Sequence, residues 1–270
     1  MLKSATSDAR FLRADDPDPV ECINMAGTSA FFLTCEHAGR HIPAVLGDLG
    51  IAPDEMDRHI AYDVGAEGLS RELSSRLDAP LVLQRYSRLV IDCNRPFEAP
   101  DCIVLRSDGT DIPVNVDLDD RERRRRYVEI HQPLHETISN ALDRRLAAER
   151  PTLLVSVHSF TPVMRSTGAI RGFELGLLYN RDVRLAEALI EAFGPGNRDV
   201  SAKLNEPYIV DDFSDYTVPV HGEKRNIPHV LLEVRNDLIN DARGQGEWAD
   251  RLAGSLQKAA DMLKDITDGH

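Results

Sequence analysis

No stretch of this sequence approaches the roughly eighteen uninterrupted apolar residues that a membrane-spanning helix needs, so no membrane association of that kind is expected. The first twenty residues, MLKSATSDARFLRADDPDPV, lack an apolar core segment and mix charges throughout. They do not read as a secretory signal, and a cytoplasmic protein is expected. Positive charge is short as well, with 32 Lys and Arg against 45 Asp and Glu and a formal net charge of −13. Duplex binding depends on clustered cations that displace counterions from phosphates, so a nucleic-acid partner is not expected. The basic run Arg121–Arg126, broken by Glu122, follows Asp117, Asp119 and Asp120. Acid before base is the order a helix dipole favours, and the run reads as a solvated helix face. The four cysteines, Cys22, Cys35, Cys93 and Cys102, form no CxxC pair, which argues against a disulfide framework and a zinc knuckle. Cys35 and Cys93 end apolar runs and are expected to be small buried residues. There is no internal repeat and no low-complexity tract.

What is present is the composition of an ordinary globular protein, 42% hydrophobic and 29% charged over 270 residues, enough chain to bury a large core. Residues 1–28, rich in Asp and Pro, read as a polar arm, mobile or draped over the surface, with a single folded domain over 29–270. Short apolar runs at AFFLTC (30–35), APLVLQ (79–84), SRLVIDC (87–93), TLLVSVH (152–158) and HVLLEV (229–234), with a weaker one at FELGLLYN (173–180), suit strands covered on both faces. Between them lie helical spacings at 64–77, 118–148, 182–192 and 248–266, the second with Tyr127, Ile130, Leu134, Ile138 and Leu142 on its inner stripe. The alternation implies an α/β fold, a mixed, largely parallel sheet sandwiched by helices in three α/β/α layers.

Ligands of such sheets gather at the carboxyl ends of the strands. Glu36 and His37, Asn94 and Arg95, and His158 and Ser159 follow such runs, and Glu233 and Arg235 close the last one. A catalytic zinc takes three protein ligands from His and carboxylates and keeps a fourth position for water. His37 and His158, at equivalent strand ends with acids nearby, are the candidate histidine ligands. Asp63, in HIAYDVGAEG, is one candidate third ligand and equally a helix N-cap. Glu36 is its rival, as a ligand or as an outer partner that holds a histidine. Glu233, flanked by Leu232 and Val234, is a carboxylate that would be buried at a loss without a partner or a task. It reads as a general base, or as the ion-pair partner of Arg235. Arg95 offers a planar donor fork for a substrate carboxylate, and Arg88 is a second cation near the same run, able also to pair with Asp92. Tyr216, His221 and Arg225 lie in a segment that reads either as a lid over the substrate or as a plain connection.

Taken together, FLTCEHAGRHIP, HIAYDVGA, QRYSRLVIDCNRP, SVHSFTP, NEPY and HGEKRNIPHVLLEVRNDLI resemble the N-formylglutamate amidohydrolase family, over residues 31–263. That family is similar to the zinc carboxypeptidases. The resemblance implies one zinc ion per chain, with His37 and His158 matching the zinc histidines, Asn94 and Arg95 the pair that grips a substrate carboxylate, and Glu233 the base. It implies hydrolysis of N-formyl-L-glutamate or a similar N-acyl amino acid, with a small carboxylate-bearing molecule as partner and a place in amino-acid metabolism. The carboxypeptidases carry a Glu three residues after the first histidine, where this chain has Arg40, so Asp63 and Glu36 stay rivals. Many family members have PHSG or PHAG where this chain has CEHAG, which leaves the acyl amino acid open. A metallo-carboxypeptidase or deacylase acting on a peptide terminus, and a binding protein that kept the fold without catalysis, are the other readings.

Overall fold

The structure, a computed structural model, describes residues 10–268. Its strands are β1 (Val20–Ile23), β2 (Phe31–Cys35), β3 (Leu81–Gln84), β4 (Arg106–Ser107), β5 (Thr110–Asp111), β6 (Leu153–Phe160), β7 (Leu175–Leu178), β8 (Ala202–Leu204) and β9 (His229–Arg235). The α-helices are α1 (Ala66–Leu77), α2 (Asp120–Arg126), α3 (Gln132–Ala147), α4 (Arg184–Phe193) and α5 (Ala242–Asp268). Seven strands form one sheet in the order β1-β3-β2-β6-β9-β7-β8, and β4 and β5 make a separate hairpin. β3, β2, β6 and β9 are parallel neighbours, while β1 runs antiparallel to β3 and β7 antiparallel to β9. The fold is therefore the mixed, mostly parallel α/β arrangement that the alternation of runs and helices implies.

Side-chain alternation along the central strands divides the two faces. Phe31, Leu33 and Cys35 of β2, Val155 and Val157 of β6, and Val230, Leu232 and Val234 of β9 point to one core, which Leu69 and Leu73 of α1, Leu185 and Leu189 of α4 and Leu252 and Leu256 of α5 cover. Phe32, Val82 and Leu154 point to the other, under Ile130, Leu134, Ile138 and Leu142. The same alternation puts Glu36, Ser156, His158 and Glu233 on this second face, at the carboxyl ends of three adjacent strands. Truncating a core residue such as Leu252 to Ala would cost about 2–5 kcal/mol.

Four expectations need correction. Residues 20–23 are not part of a draped arm: they form β1, paired in register from Val20↔Gln84 to Ile23↔Leu81. Phe11 is buried, its N–H and that of Leu12 donate to the Glu129 carboxylate, and the Tyr86 hydroxyl donates to Pro17 O. The folded unit thus begins well before Ser29, while residues 1–9 lie outside the described residues. SRLVIDC (87–93) is a chain of turns and not a strand. Its polar backbone groups are satisfied by its own turns and by other loops, with Val90 N donating to Ser87 O, Leu89 N to Ser87 Oγ, Arg88 N to Ala61 O and Asp92 N to Cys102 O, so an apolar segment is buried without a ladder. The basic run is not wholly solvated either, because Arg126 is fully buried and donates to Val90 O and Asn115 Oδ1. The helical region expected over 118–148 is α2 and α3 joined by a π-helical turn, 127–131. Pro133 lacks the N–H that an uninterrupted α-ladder would use, and the ladder shifts there to the longer Gln132 N to Tyr127 O bond.

Candidate active site and metal centre

His37 stands two residues beyond β2, and the backbone N–H of Asp63 donates to its carbonyl at 2.9 Å, which ties the loop before α1 to the end of the strand. Asp63 does not cap α1; Gly65 occupies that position, in a left-handed conformation. The Asp63 carboxylate turns inward. Its Oδ2 lies 2.7 Å from His158 Nδ1 and 3.4 Å from His37 Nδ1, and accepts the Ser159 N–H. His37, Asp63 and His158 each offer one ligand atom within 4.8 Å of the others, and all three are buried.

The opposite nitrogen of each ring is held by a second acid. His37 Nε2 is 2.7 Å from Asp92 Oδ1, and His158 Nε2 is 2.9 Å from Glu36 Oε2. Such carboxylate–histidine pairs orient an imidazole and fix which nitrogen faces a metal. Glu36 also accepts the hydroxyls of Ser156 and Thr217. The His158 ring therefore separates Glu36 from the Asp63 side, and the geometry does not bring Glu36 to the point where His37, Asp63 and His158 converge. Asp92 was readable only as a partner of Arg88. It is that, with Nη2 at 2.6 Å, and the anchor of His37 besides. Arg40 faces solvent, paired with Asp57.

The electrostatics follow from packing acids and imidazoles without water. Burial opposes ionisation of Asp63, Glu36 and Asp92, but the adjoining histidines, together with Arg88 for Asp92, hold all three carboxyls below their ordinary range. Burial likewise works against protonation of His158, yet Asp63 and Glu36 raise its pKa well above the usual value. Glu233 differs. Burial pushes it up to about 8 against the pull of His158, and its Oε2 has no hydrogen-bond partner. Arg235 does not neutralise it, being paired with Glu174 and Asp237.

His37, Asp63, His158 and Glu233 open onto one cavity of about 290 Å³, which Arg88, Asn94 and Arg95 also line. Asp215, His59, Phe160, Tyr208 and Ile209 complete much of its wall. His59, Phe160 and Tyr208 fall within HIAYDVGA, SVHSFTP and NEPY, whose resemblance gives them no individual role, and no local pattern marks Asp215 or Ile209. Tyr216 and His221, expected at the substrate, are not among its lining residues. Both are drawn into a cluster under α3, where His135 Nδ1 meets His221 Nε2 at 3.0 Å and the Tyr216 ring packs on His131 and His135. Nor is their segment a lid. Thr217, Val218 and His221 are buried, and Arg225 bonds Asp143 and Ser139 of α3.

The residues fit a metal. His37 Nδ1 is a buried nitrogen without a hydrogen-bond partner, aimed at the same point as His158 Nδ1 and Asp63 Oδ2, and two histidines with one carboxylate are a zinc donor set. The family profile described as N-formylglutamate amidohydrolase matches residues 29–240. The chain belongs to that family. This family member is a hydrolase acting on amides, an amidohydrolase of N-acyl amino acids. Among solved structures it is similar to the gene product Atu2144 from Agrobacterium tumefaciens, at 37% identity and a TM-score of 0.90, covering 94% of this chain and 100% of that one. It is similar also to N-formylglutamate amidohydrolase from Ralstonia eutropha JMP134, at 16% identity and a TM-score of 0.63, covering 92% and 99%, a likeness of fold. No curated protein sequence matches. Among the described residues, no helix is long and apolar enough to cross a membrane.

Proposed function

We propose that this amidohydrolase is zinc-dependent and hydrolyses N-formyl-L-glutamate or a similar small N-acyl amino acid. The observation that carries the reading is the convergence of His37 Nδ1, His158 Nδ1 and Asp63 Oδ2 beside Glu233 in one cavity. His37, Asp63 and His158 are the ligands in this reading, and Glu36 and Asp92 hold the two rings. A bound zinc supplies Lewis acidity, polarising the acyl oxygen and easing loss of a proton from water.

The chain's own residues do the rest. Glu233, which lines the cavity with its Oε2 free of any hydrogen-bond partner, takes in its ionised form a proton from the attacking water and delivers it to the leaving nitrogen. The water oxygen bonds to the acyl carbon as the C–N bond breaks, giving a carboxylate and a free amino acid. Asn94 and Arg95, with Arg88 next to them, form the wall that receives the substrate carboxylate. The cavity is at the lower end of the roughly 300–1,000 Å³ typical of small-molecule sites, which favours a small acyl amino acid over a peptide terminus.

The test is formate release from N-formyl-L-glutamate by purified protein whose zinc content is measured. Activity should disappear on chelation and return with zinc. About one zinc per chain with no turnover of a panel of N-acyl amino acids would sink the assignment and leave a binding protein.

A further inference from the structure

The amide of Asn94 is taken up by one short segment of the chain. Its Oδ1 accepts the backbone N–H groups of Tyr216, at 3.3 Å, and Thr217, at 3.0 Å, and its Nδ2 donates to Asp215 Oδ1 at 3.1 Å. Arg95 Nη1 lies 3.6 Å from that same oxygen, while Arg95 Nε donates to Asp101. A carboxylate of the protein itself therefore rests on the asparagine–arginine pair, one oxygen between an amide and a guanidinium, as an incoming carboxylate would.

Asp215 is held in this position by its own turn. Its Oδ2 accepts from Asp211 N and Ser214 Oγ, both at 3.3 Å, and its N–H donates to Asp211 O at 3.2 Å. Its side chain is 12% exposed and lines the cavity. Burial raises its pKa against the pull of Arg95, so the acid is held here at a cost. The rim of the turn packs thinly, with Phe213 85% and Ile209 74% exposed, as expected of a segment that can give way.

We propose that Asp215 is a specificity-determining residue, a resident competitor that a substrate carboxylate must displace from Asn94 and Arg95. The inference rests on the assignment of Asn94 and Arg95 as the carboxylate wall. Asp215 then sets a moderate affinity for anionic ligands and leaves neutral ones of the same size unaffected. Removing its charge hands the amide and the guanidinium to the ligand.

The test is calorimetric titration of the zinc-loaded full chain with glutarate and with neutral glutaramide. Asp215→Asn keeps the shape and the acceptor oxygen, and Asp215→Ala guards against an effect peculiar to the new amide. In both, glutarate should bind about tenfold more tightly, the order for one charge-assisted contact, with glutaramide within about twofold of wild type. KM for an active acyl amino acid should fall in parallel, with the change in KM and not in kcat. Asp212→Asn, which removes the same charge from the same turn where Asp212 meets Arg181 at the surface, should leave glutarate affinity alone. Unchanged or weaker glutarate binding in both Asp215 variants overturns the proposal, as does equal tightening by Asp212→Asn. If wild type fails to release formate, the substrate assignment falls, whereas the glutarate comparison still decides the role of Asp215.

Discussion

Glu233 and His158 are register partners across β9 and β6, so a buried carboxylate and a buried imidazole stand side by side on one face of the sheet. Glu233→Gln preserves that shape and removes the capacity to take a proton. We expect kcat to fall by about 10²- to 10⁴-fold, with L-glutamate affinity within about twofold of wild type. Retained turnover would reduce Glu233 to a packing residue.

Stripping zinc should destabilise the protein as well as silence it, because a ligand that binds only the folded state adds its binding free energy to stability. With free zinc about 100-fold above its Kd the contribution is roughly 2.7 kcal/mol, or about 5–10 °C in Tm for a chain of this size. His158→Ala and Asp63→Asn should lose zinc by metal analysis and show the same low Tm with or without added zinc.

The two acids behind the histidines should behave differently from the ligands. Asp92→Asn and Glu36→Gln are expected to weaken zinc about 10- to 100-fold, read by competition with a chelator, and not to abolish binding. Complete loss of zinc in Glu36→Gln, matching Asp63→Asn, would return Glu36 to the ligand set.

The buried imidazoles under α3 make stability sensitive to acid. His135 Nε2 can only donate to Cys93 O, so in the neutral ring Nδ1 accepts from His221 Nε2, and His221 Nδ1 faces Arg225. His131 Nε2 donates to Arg95 O. Burial holds His131 down to about 4 and His221 to about 3. The unfolded chain takes up these protons near pH 6.5 and the folded one much lower, so the contribution of these histidines to stability is complete above about 6.5 and drains away as pH falls toward about 4. Denaturant unfolding of metal-free protein at several pH values should show this slope, and His131→Gln, which keeps a donor but cannot ionise, should flatten it. An unchanged slope in that variant would remove His131 from the account.

Much of the site was legible because its residues stand at ends of apolar runs. His37 and His158 stand out as a pair at strand ends with acids nearby, Glu233 as a carboxylate between apolar neighbours, and the structure brings all three to one cavity. Tyr216 and His221 were misplaced because proximity in sequence to the last strand carries no information about the side on which a turn lies. The strand β1 was hidden in an acidic, proline-rich context, and SRLVIDC looked like a strand because burial, which its composition reports, is not the same as pairing. Asp92 carried only the signal of a partner for Arg88, and Asp215 none beyond its charge.

The succession of short apolar runs and helical spacings was enough by itself to set an α/β sheet and to put His37, His158 and Glu233 at the ends of such runs. The side of the sheet that each side chain takes came instead with the register between the strands. Which nitrogen of each histidine faces inward, and that Asp63 meets them while Glu36 stays behind His158, was decided only when loops 26 to 122 residues apart closed on one another. Hydrogen bonds of 2.7–2.9 Å settle such choices, and no local preference of the chain reaches across those separations.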